Sequence, residues 1–412
     1  MFCISNSNGP CCSRLLSVAM RKSLMGIYIH IPFCIQRCHY CDFATYSKDQ
    51  IAPNTEYVDT LLLEAQKRVN LIPNKNIDSI YFGGGTPSLL PASEIKRIID
   101  GLKNLELNIT SSTEITIEVN PATLTDEKCK TLKESGVNRI SIGCQSFDDE
   151  HLKRCNREHS VADTMRTIDI VKKYFNNYSL DLLFSLPEQQ LEGVYSDLQI
   201  IKKVNPPHVS AYCLTVADKH PMNQGRCSDE EQLKMFDLIQ GELSEINHYR
   251  YEISNFSRPG FESIHNSIYW TDQPYWGLGL SAHSYFNSPD WGYRFWNSST
   301  YKAYLNDIQN LSRANSIEGS FSSSQFEKLR FSDSLSDFCH THMRLSTGLN
   351  EHSLRQKFGE PSLSLVSQRM SELISRQLVE KQGDFWTLSH QGITLSNQVF
   401  AKLLFSPEDI DN

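Results

Sequence analysis

Gly26-Ile-Tyr-Ile-His-Ile-Pro-Phe-Cys34-Ile-Gln-Arg-Cys38-His-Tyr-Cys41 is the stretch from which the rest of the chain is read. Ile27, Ile29 and Ile31 alternate with Tyr28 and His30, the pattern of a half-buried strand, and Pro32 ends it. Three cysteines follow at C-x3-C-x2-C spacing. Three thiolates on one tight loop suit a soft metal centre. A closed structural site fills all four positions, so a three-cysteine set leaves one for a ligand that is not protein. Two centres fit. Zinc completes its shell with an imidazole such as His39, or a [4Fe–4S] cluster keeps its fourth iron open. The triplet alone leaves both open.

Outward from this loop the chain has a regular rhythm. Val58, Leu61, Leu62, Ala65 and Val69 recur at helical spacing over residues 54–70. Residues 77–82 read as a strand running into Gly83-Gly84-Gly85-Thr86-Pro87. Ser93 is the expected cap of a helix with the stripe Ile95, Ile98, Ile99, Leu102 and Leu105. Residues 114–119 alternate as a strand, and a helix from Asp126 stops at Gly136. Strands at 139–144, 180–184 and 209–214 then alternate with helices at 160–174 and 191–204. Six strands alternating with helices predict an α/β fold with a parallel sheet. Cys34, Gly83, Asn120, Gln145 and Ser185 all follow the carboxyl ends of their strands, the rim where such folds assemble chemistry.

Past residue 216 the rhythm breaks. A helix is expected at 230–246, a short strand at 249–254, and an aromatic, glycine-rich stretch at 269–296. Residues 363–378 read as a helix, 379–388 as a hairpin around Gly383-Asp384, and 389–404 as a last helix. Helix, hairpin and helix make a small winged-helix-like C-terminal domain. Glu372, Glu380, Asp384 and Glu408 interrupt any basic stripe there, so docking or a lid role is expected rather than nucleic-acid binding. The expected division is 1–24, 25–255, 256–320 and 321–412: an extension, a core, an aromatic segment and the C-terminal domain.

Composition sets outer limits. The 412 residues carry a formal charge of −8, which argues against a general nucleic-acid role, and no apolar run approaches the ~18 residues of a membrane span. Twelve cysteines without framework spacing or a secretory signal read as reduced thiols. Residues 1–24 hold no acid and carry Arg14, Arg21 and Lys22. They read as a disordered extension, or an over-long start before Met20 or Met25, ahead of an organellar transit peptide. A cytoplasmic location is expected.

The motifs together carry a resemblance. Cys34-x3-Cys38-x2-Cys41, with Tyr40 before the last cysteine, is similar to the radical SAM superfamily. Tyr28-Ile-His-Ile-Pro-Phe-Cys34 and Cys41-Asp-Phe narrow it to oxygen-independent coproporphyrinogen III oxidases and their haem-chaperone relatives. The resemblance implies a partial (β/α)6 barrel followed by an α+β extension. It implies a [4Fe–4S] cluster on Cys34, Cys38 and Cys41, with S-adenosylmethionine (SAM) on the open iron. Gly84, Gly85 and Thr86 would lie against SAM, as would Glu118, Gln145 of Gly143-Cys-Gln-Ser-Phe147, Arg157 of Asn156-Arg157, and Asp181. Tyr28 and Tyr40 would flank the nucleoside.

The oxidases carry a further cysteine two residues past the third, and Cys41-Asp42-Phe43 lacks it. That departure puts oxidation of coproporphyrinogen III to protoporphyrinogen IX in doubt and makes it the alternative reading. His265-Asn-Ser-Ile-Tyr-Trp270 resembles the H-N-x-x-Y-W string of the haem chaperones, which makes His265 the candidate haem ligand. His283, in Gly277-Leu-Gly-Leu-Ser-Ala-His283, is a second, weaker candidate. The implied partners are haem, haem-acceptor proteins and an electron donor for the cluster, with a homodimer as one allowed state.

Overall fold

The computed structural model describes residues 24–47, 54–312 and 315–410. The reading of residues 1–24 as an extension therefore lies outside the described residues, except at Leu24, which is buried in a small cluster with Ile268. Strands Gly26–Ile31, Ser79–Gly84, Glu114–Val119, Arg139–Gln145, Tyr178–Phe184 and His208–Cys213 run in that order and in parallel across one sheet. Ile29 sits opposite Phe82, Phe82 opposite Ile117, and Ile117 opposite Ile140, so one face of the sheet is a continuous apolar layer. Helices Asn54–Arg68, Ala92–Lys103, Asp126–Glu134, Val161–Tyr174 and Leu191–Val204 bury their stripes in the same core. The other face carries Tyr28, Tyr81, Glu118, Ser141 and Asp181. Period-two side-chain alternation alone separates the two faces.

Helix ends follow local chemistry. Ser160 accepts from the Asp163 amide while the Asp163 carboxylate accepts from the Ser160 amide, a reciprocal cap that starts Val161–Tyr174. Ser93 is not the cap expected. Ala92–Lys103 starts earlier, because the Pro91 carbonyl already accepts from the Glu94 and Ile95 amides. Gly136, at φ +103°, takes the left-handed turn after Asp126–Glu134 that an L side chain resists.

The sheet extends beyond the six strands expected. Tyr275–Leu278 adds a seventh parallel strand on the free side of Gly26–Ile31. His283–Phe286, Tyr293–Trp296 and Phe326–Lys328 continue antiparallel from it. At the opposite edge the strand expected at 249–254 is shortened to Tyr249–Arg250, and Asn255–Ser257 beyond it pairs with His208–Cys213. The result is one twelve-stranded sheet, and the expected cut between 255 and 256 falls inside a strand. At the C-terminus, Leu349–Asn350, Phe385–Leu388 and Val379–Gln382 form a three-stranded antiparallel sheet over a separate apolar cluster that includes Leu354, Val366, Met370 and Trp386. The helix expected from 363 begins at Glu351 and is broken at Gly359, whose φ is +82°. Pro361 starts the second half, where a missing N–H costs nothing. Among the described residues no helix is long and apolar enough to cross a membrane.

A buried polar knot ties the first helix to the antiparallel extension. Glu64 is fully buried and accepts from Arg68 Nη1 at 2.8 Å, Asn297 Nδ2 at 2.7 Å, Tyr304 Oη at 2.7 Å and the Gly279 amide at 2.9 Å. Arg68 is 2% exposed and also donates to Asn297 Oδ1 and the Ser320 carbonyl. Removing one partner of such a pair strands a buried charge. Glu64→Ala is expected to cost about 3–5 kcal/mol, read as a lowered urea midpoint, whereas Lys96→Ala in the exposed Lys96–Asp100 pair should cost at most about 1 kcal/mol.

Candidate functional site

The three cysteines lie on the loop that leaves strand Gly26–Ile31 at the carboxyl-end rim. Cys34 is buried in a two-residue strand, Phe33–Cys34, paired with Tyr46–Ser47. Asn156 and Arg157 clamp the loop from across the barrel. Gln36 Nε2 donates to Asn156 Oδ1 at 2.7 Å, Asn156 Nδ2 donates to the Arg37 carbonyl at 2.8 Å, and Arg157 Nη1 reaches Cys38 Sγ at 3.4 Å. Arg157 Nη2 also donates to the Gly143 carbonyl at 2.9 Å, which joins the loop to the end of Arg139–Gln145. Burial pushes the Cys34 and Cys41 thiols up, so metal binding there must displace protons.

Zinc, the alternative, would need a fourth ligand beside the three cysteines. His39, the proposed fourth ligand, donates its Nδ1–H to the Arg154 carbonyl oxygen at 3.0 Å, which puts its lone pair on Nε2. All three cysteines border one cavity.

That cavity, of about 360 Å³, is lined by all three cysteines and by Tyr40, Gly84, Gly85, Thr86, Glu118, Gln145, Arg157 and Asp181. Every residue expected to touch SAM is thus brought to one space except Tyr28, which faces a neighbouring cavity. Asn120, expected on the rim, lines the same space, and sequence reasoning missed Tyr81, Ser141 and Tyr212, which line it too. Register offered a signal for one of them: Ser141 is paired directly with Glu118. Ser141 Oγ and Ser179 Oγ donate to the two oxygens of Asp181 at 2.7 and 2.8 Å, fixing that carboxylate.

The amides of the glycine loop bond the protein itself, that of Gly84 reaching the Glu118 carboxylate. The Gly85 amide donates to the Ile31 carbonyl at 2.8 Å and the Thr86 amide to the Phe33 carbonyl at 2.7 Å. A Cβ on Gly85 would stand 2.7 Å from the Phe33 carbonyl oxygen and 3.0 Å from Cys34 Sγ. The glycines let this loop lie flat against the cysteine strand. Gln145 has φ +66°, a costly conformation outside glycine that aims its side chain at the rim. Glu118 is half-buried on the cavity wall and accepts from Tyr81 Oη at 2.8 Å. Desolvation, with a smaller contribution from the Asp181 charge, pushes its carboxyl up to about 7.

The second cavity, of about 450 Å³, adjoins the first and shares Phe43, Tyr81, Gly84 and Glu118 with it. Its other walls include Tyr28, His30, His265, Tyr269, Tyr275 and His283. Ser263 caps helix Ile264–Trp270, and the Glu114 carboxylate accepts from the Ile264 and His265 amides at 3.2 and 3.1 Å. The helix therefore stands on strand Glu114–Val119. His265 is 1% exposed, its ring stacked on Tyr81 with centroids 4.9 Å apart. Burial pulls its imidazole down to about 3.

The chain is similar to several known proteins. A profile of the radical SAM superfamily matches residues 28–199. Heme chaperone HemW of Buchnera aphidicola subsp. Schizaphis graminum is 39% identical over 262 residues, covering 63% of this chain and 69% of its own. Heme chaperone HemW of Bacillus subtilis is 31% identical over 389 residues, covering 92% of this chain and 99% of its own. Among solved structures, the coproporphyrinogen III oxidase HemN from Escherichia coli, a radical SAM enzyme, superposes with a TM-score of 0.77. That match covers 94% of this chain and 92% of the other at 19% identity, a likeness of fold.

The raised Glu118 carboxyl has a pH signature. Its folded value lies above the unfolded one, so its contribution to stability is full below about pH 4.5 and is lost as pH rises through about 7. Glu118→Gln is expected to flatten the fall in thermal midpoint between pH 5 and 8 relative to the parent. Parallel melting profiles would show that Glu118 is not the source.

Proposed function

Starting from the fact that the chain belongs to the HemW family within the radical SAM superfamily, we propose that it carries haem as cargo and hands it to acceptor proteins. Cys34, Cys38 and Cys41 hold a [4Fe–4S] cluster in this reading, and SAM occupies the adjoining cavity. When bound, the cluster supplies an electron at a low-potential iron site and SAM supplies the chelating group for its open corner. Glu118 and Asp181 would offer carboxylates, and Arg157 and Gln145 donors, to hold SAM in that cavity. Tyr40 packs along the nucleoside, and the Gly84-Gly85-Thr86 turn keeps that wall thin. Haem lies in the second cavity, among the rings of Tyr28, Tyr81, Tyr269 and Tyr275.

The observation that carries the reading is the pair of adjoining cavities, one rimmed by three thiols and the other by aromatic and imidazole rings. An aromatic space beside the cluster cavity suits a flat tetrapyrrole guest, which the oxidase would need as much as a haem carrier does, and residue 43 separates the two readings. Phe43 stands where the resembling oxidases place a cysteine, and it is 61% exposed between the two spaces. An electron donor for the cluster and a homodimeric state belong to the same proposal.

Protein reconstituted without oxygen is expected to contain iron and inorganic sulfide. Cys34→Ala, Cys38→Ala and Cys41→Ala should each lose most of both, measured by chemical assay. The parent should bind haem stoichiometrically and release it to a haem-free acceptor. Incubated with coproporphyrinogen III, SAM and a reductant, it should yield no protoporphyrinogen IX. Accumulation of that product would replace the chaperone reading with the oxidase.

A further inference from the structure

A neutral imidazole carries one N–H and one lone pair, and only the lone pair can ligate iron. Three histidines line the second cavity, and hydrogen bonding sorts them. His265 Nδ1 is 2.8 Å from Ser79 Oγ and His265 Nε2 is 2.8 Å from Tyr269 Oη. In either tautomer the N–H donates to one hydroxyl and the lone pair accepts from the other, and the ring is 1% exposed. His30 Nε2 is 2.9 Å from the Ala44 carbonyl oxygen, which only accepts, so Nε2 carries the proton. The His30 lone pair is then on Nδ1, taken by Tyr28 Oη at 3.1 Å.

His283 differs on every count. It is exposed, and among the described residues nothing hydrogen-bonds its ring. Its ring stacks on Trp296 with centroids 5.6 Å apart and planes 21° apart, a contact that uses the face and leaves the edge nitrogens clear. Its backbone is fixed, paired with Trp296 across the strands His283–Phe286 and Tyr293–Trp296. Gly277 permits the close approach of the neighbouring strand, since a Cβ there would stand 2.2 Å from the His283 carbonyl oxygen. A rigidly seated imidazole with a free lone pair at the cavity wall is what an axial ligand requires.

Resting on the haem-cargo reading above, we propose that His283 is the residue that ligates the haem iron in the second cavity. His265 is a positioning residue: it holds Tyr269 and supports the Tyr81 ring, and does not touch the metal.

The test uses the full chain, cluster-loaded and anoxic, titrated with ferric haem and followed by absorbance, electron paramagnetic resonance and resonance Raman. His283→Ala is expected to keep its cluster, lose the histidine–iron signature and regain it when free imidazole is added. His265→Asn is expected to keep the signature, with near-UV circular dichroism reporting its fold. A signature unchanged in His283→Ala would overturn the assignment, whatever His265→Asn does. So would a folded His265→Asn that loses the signature and recovers it with imidazole. A parent protein that takes up no stoichiometric haem would instead sink the cargo reading itself, which separates the two failures.

Discussion

Parallel pairing of Gly26–Ile31 with Ser79–Gly84 on one side and Tyr275–Leu278 on the other constrains everything built around it. The register sets Tyr28 opposite both Tyr81 and Gly277, so Tyr28 and His30 point to the cavity side while Ile27, Ile29 and Ile31 pack beneath the helices. A slip of one residue would reverse this, pushing a tyrosine and a histidine under the helices and three isoleucines into the cavities. Burying those polar groups unpaired would cost several kcal/mol, so the register is strongly specified. The same strand then delivers Cys34 against Gly85. Its hydrogen bonding on both edges makes it the shared border between the barrel and the antiparallel extension.

The cysteine loop needs a second support, since only its first residues continue the strand. Asn156 supplies it from the left-handed region, φ +57°, by exchanging hydrogen bonds with Gln36 and Arg37, and the His39 amide adds a bond to the Cys155 carbonyl. Asn tolerates that conformation better than most residues because its short side chain bonds locally. Arg157 next in sequence spans Cys38 and the Gly143 carbonyl. The Asn-Arg pair therefore has a mechanical role: it fixes how far the thiols stand from the rim. Gly143 is small for the same reason, since a Cβ there would come 3.0 Å from Gln145 Nε2 and 3.3 Å from Arg157 Nη2.

What was legible in the sequence follows from period. Each of the six parallel strands shows two-residue alternation or a short apolar run, and each is followed by a helix with its own stripe. The order of elements and the rim at their carboxyl ends were accordingly readable. The extension was harder, because its strands are four residues long or shorter and are broken by Gly279, Pro289 and Gly292. Tyr81, Ser141 and Tyr212 belong to no motif. They are found by parity and pairing: Tyr81 donates to Glu118, and Ser141 sits beside it. The Glu64–Arg68 pair was invisible for another reason. An acid and a base four residues apart on a helix look like a solvated face, and only the docking of Asn297 and Tyr304 reveals them as buried.

The two cavities meet at a wall one side chain thick. Tyr81 donates to Glu118 with its hydroxyl and lies flat against His265 with its ring, so one residue touches the carboxylate of the first space and the imidazole of the second. His265 in turn is braced by Ser79, the first residue of strand Ser79–Gly84, and by Tyr269. A guest that moves the Glu118 carboxylate must therefore disturb the hydroxyl that Tyr81 gives it, and the Tyr81 ring cannot shift without the His265 ring. Close packing leaves little slack in such a stack. The exposed Phe43 is the loosest member of the shared wall, and it is carried by the cysteine loop itself. Whatever seats that loop also sets the position of the ring between the two cavities.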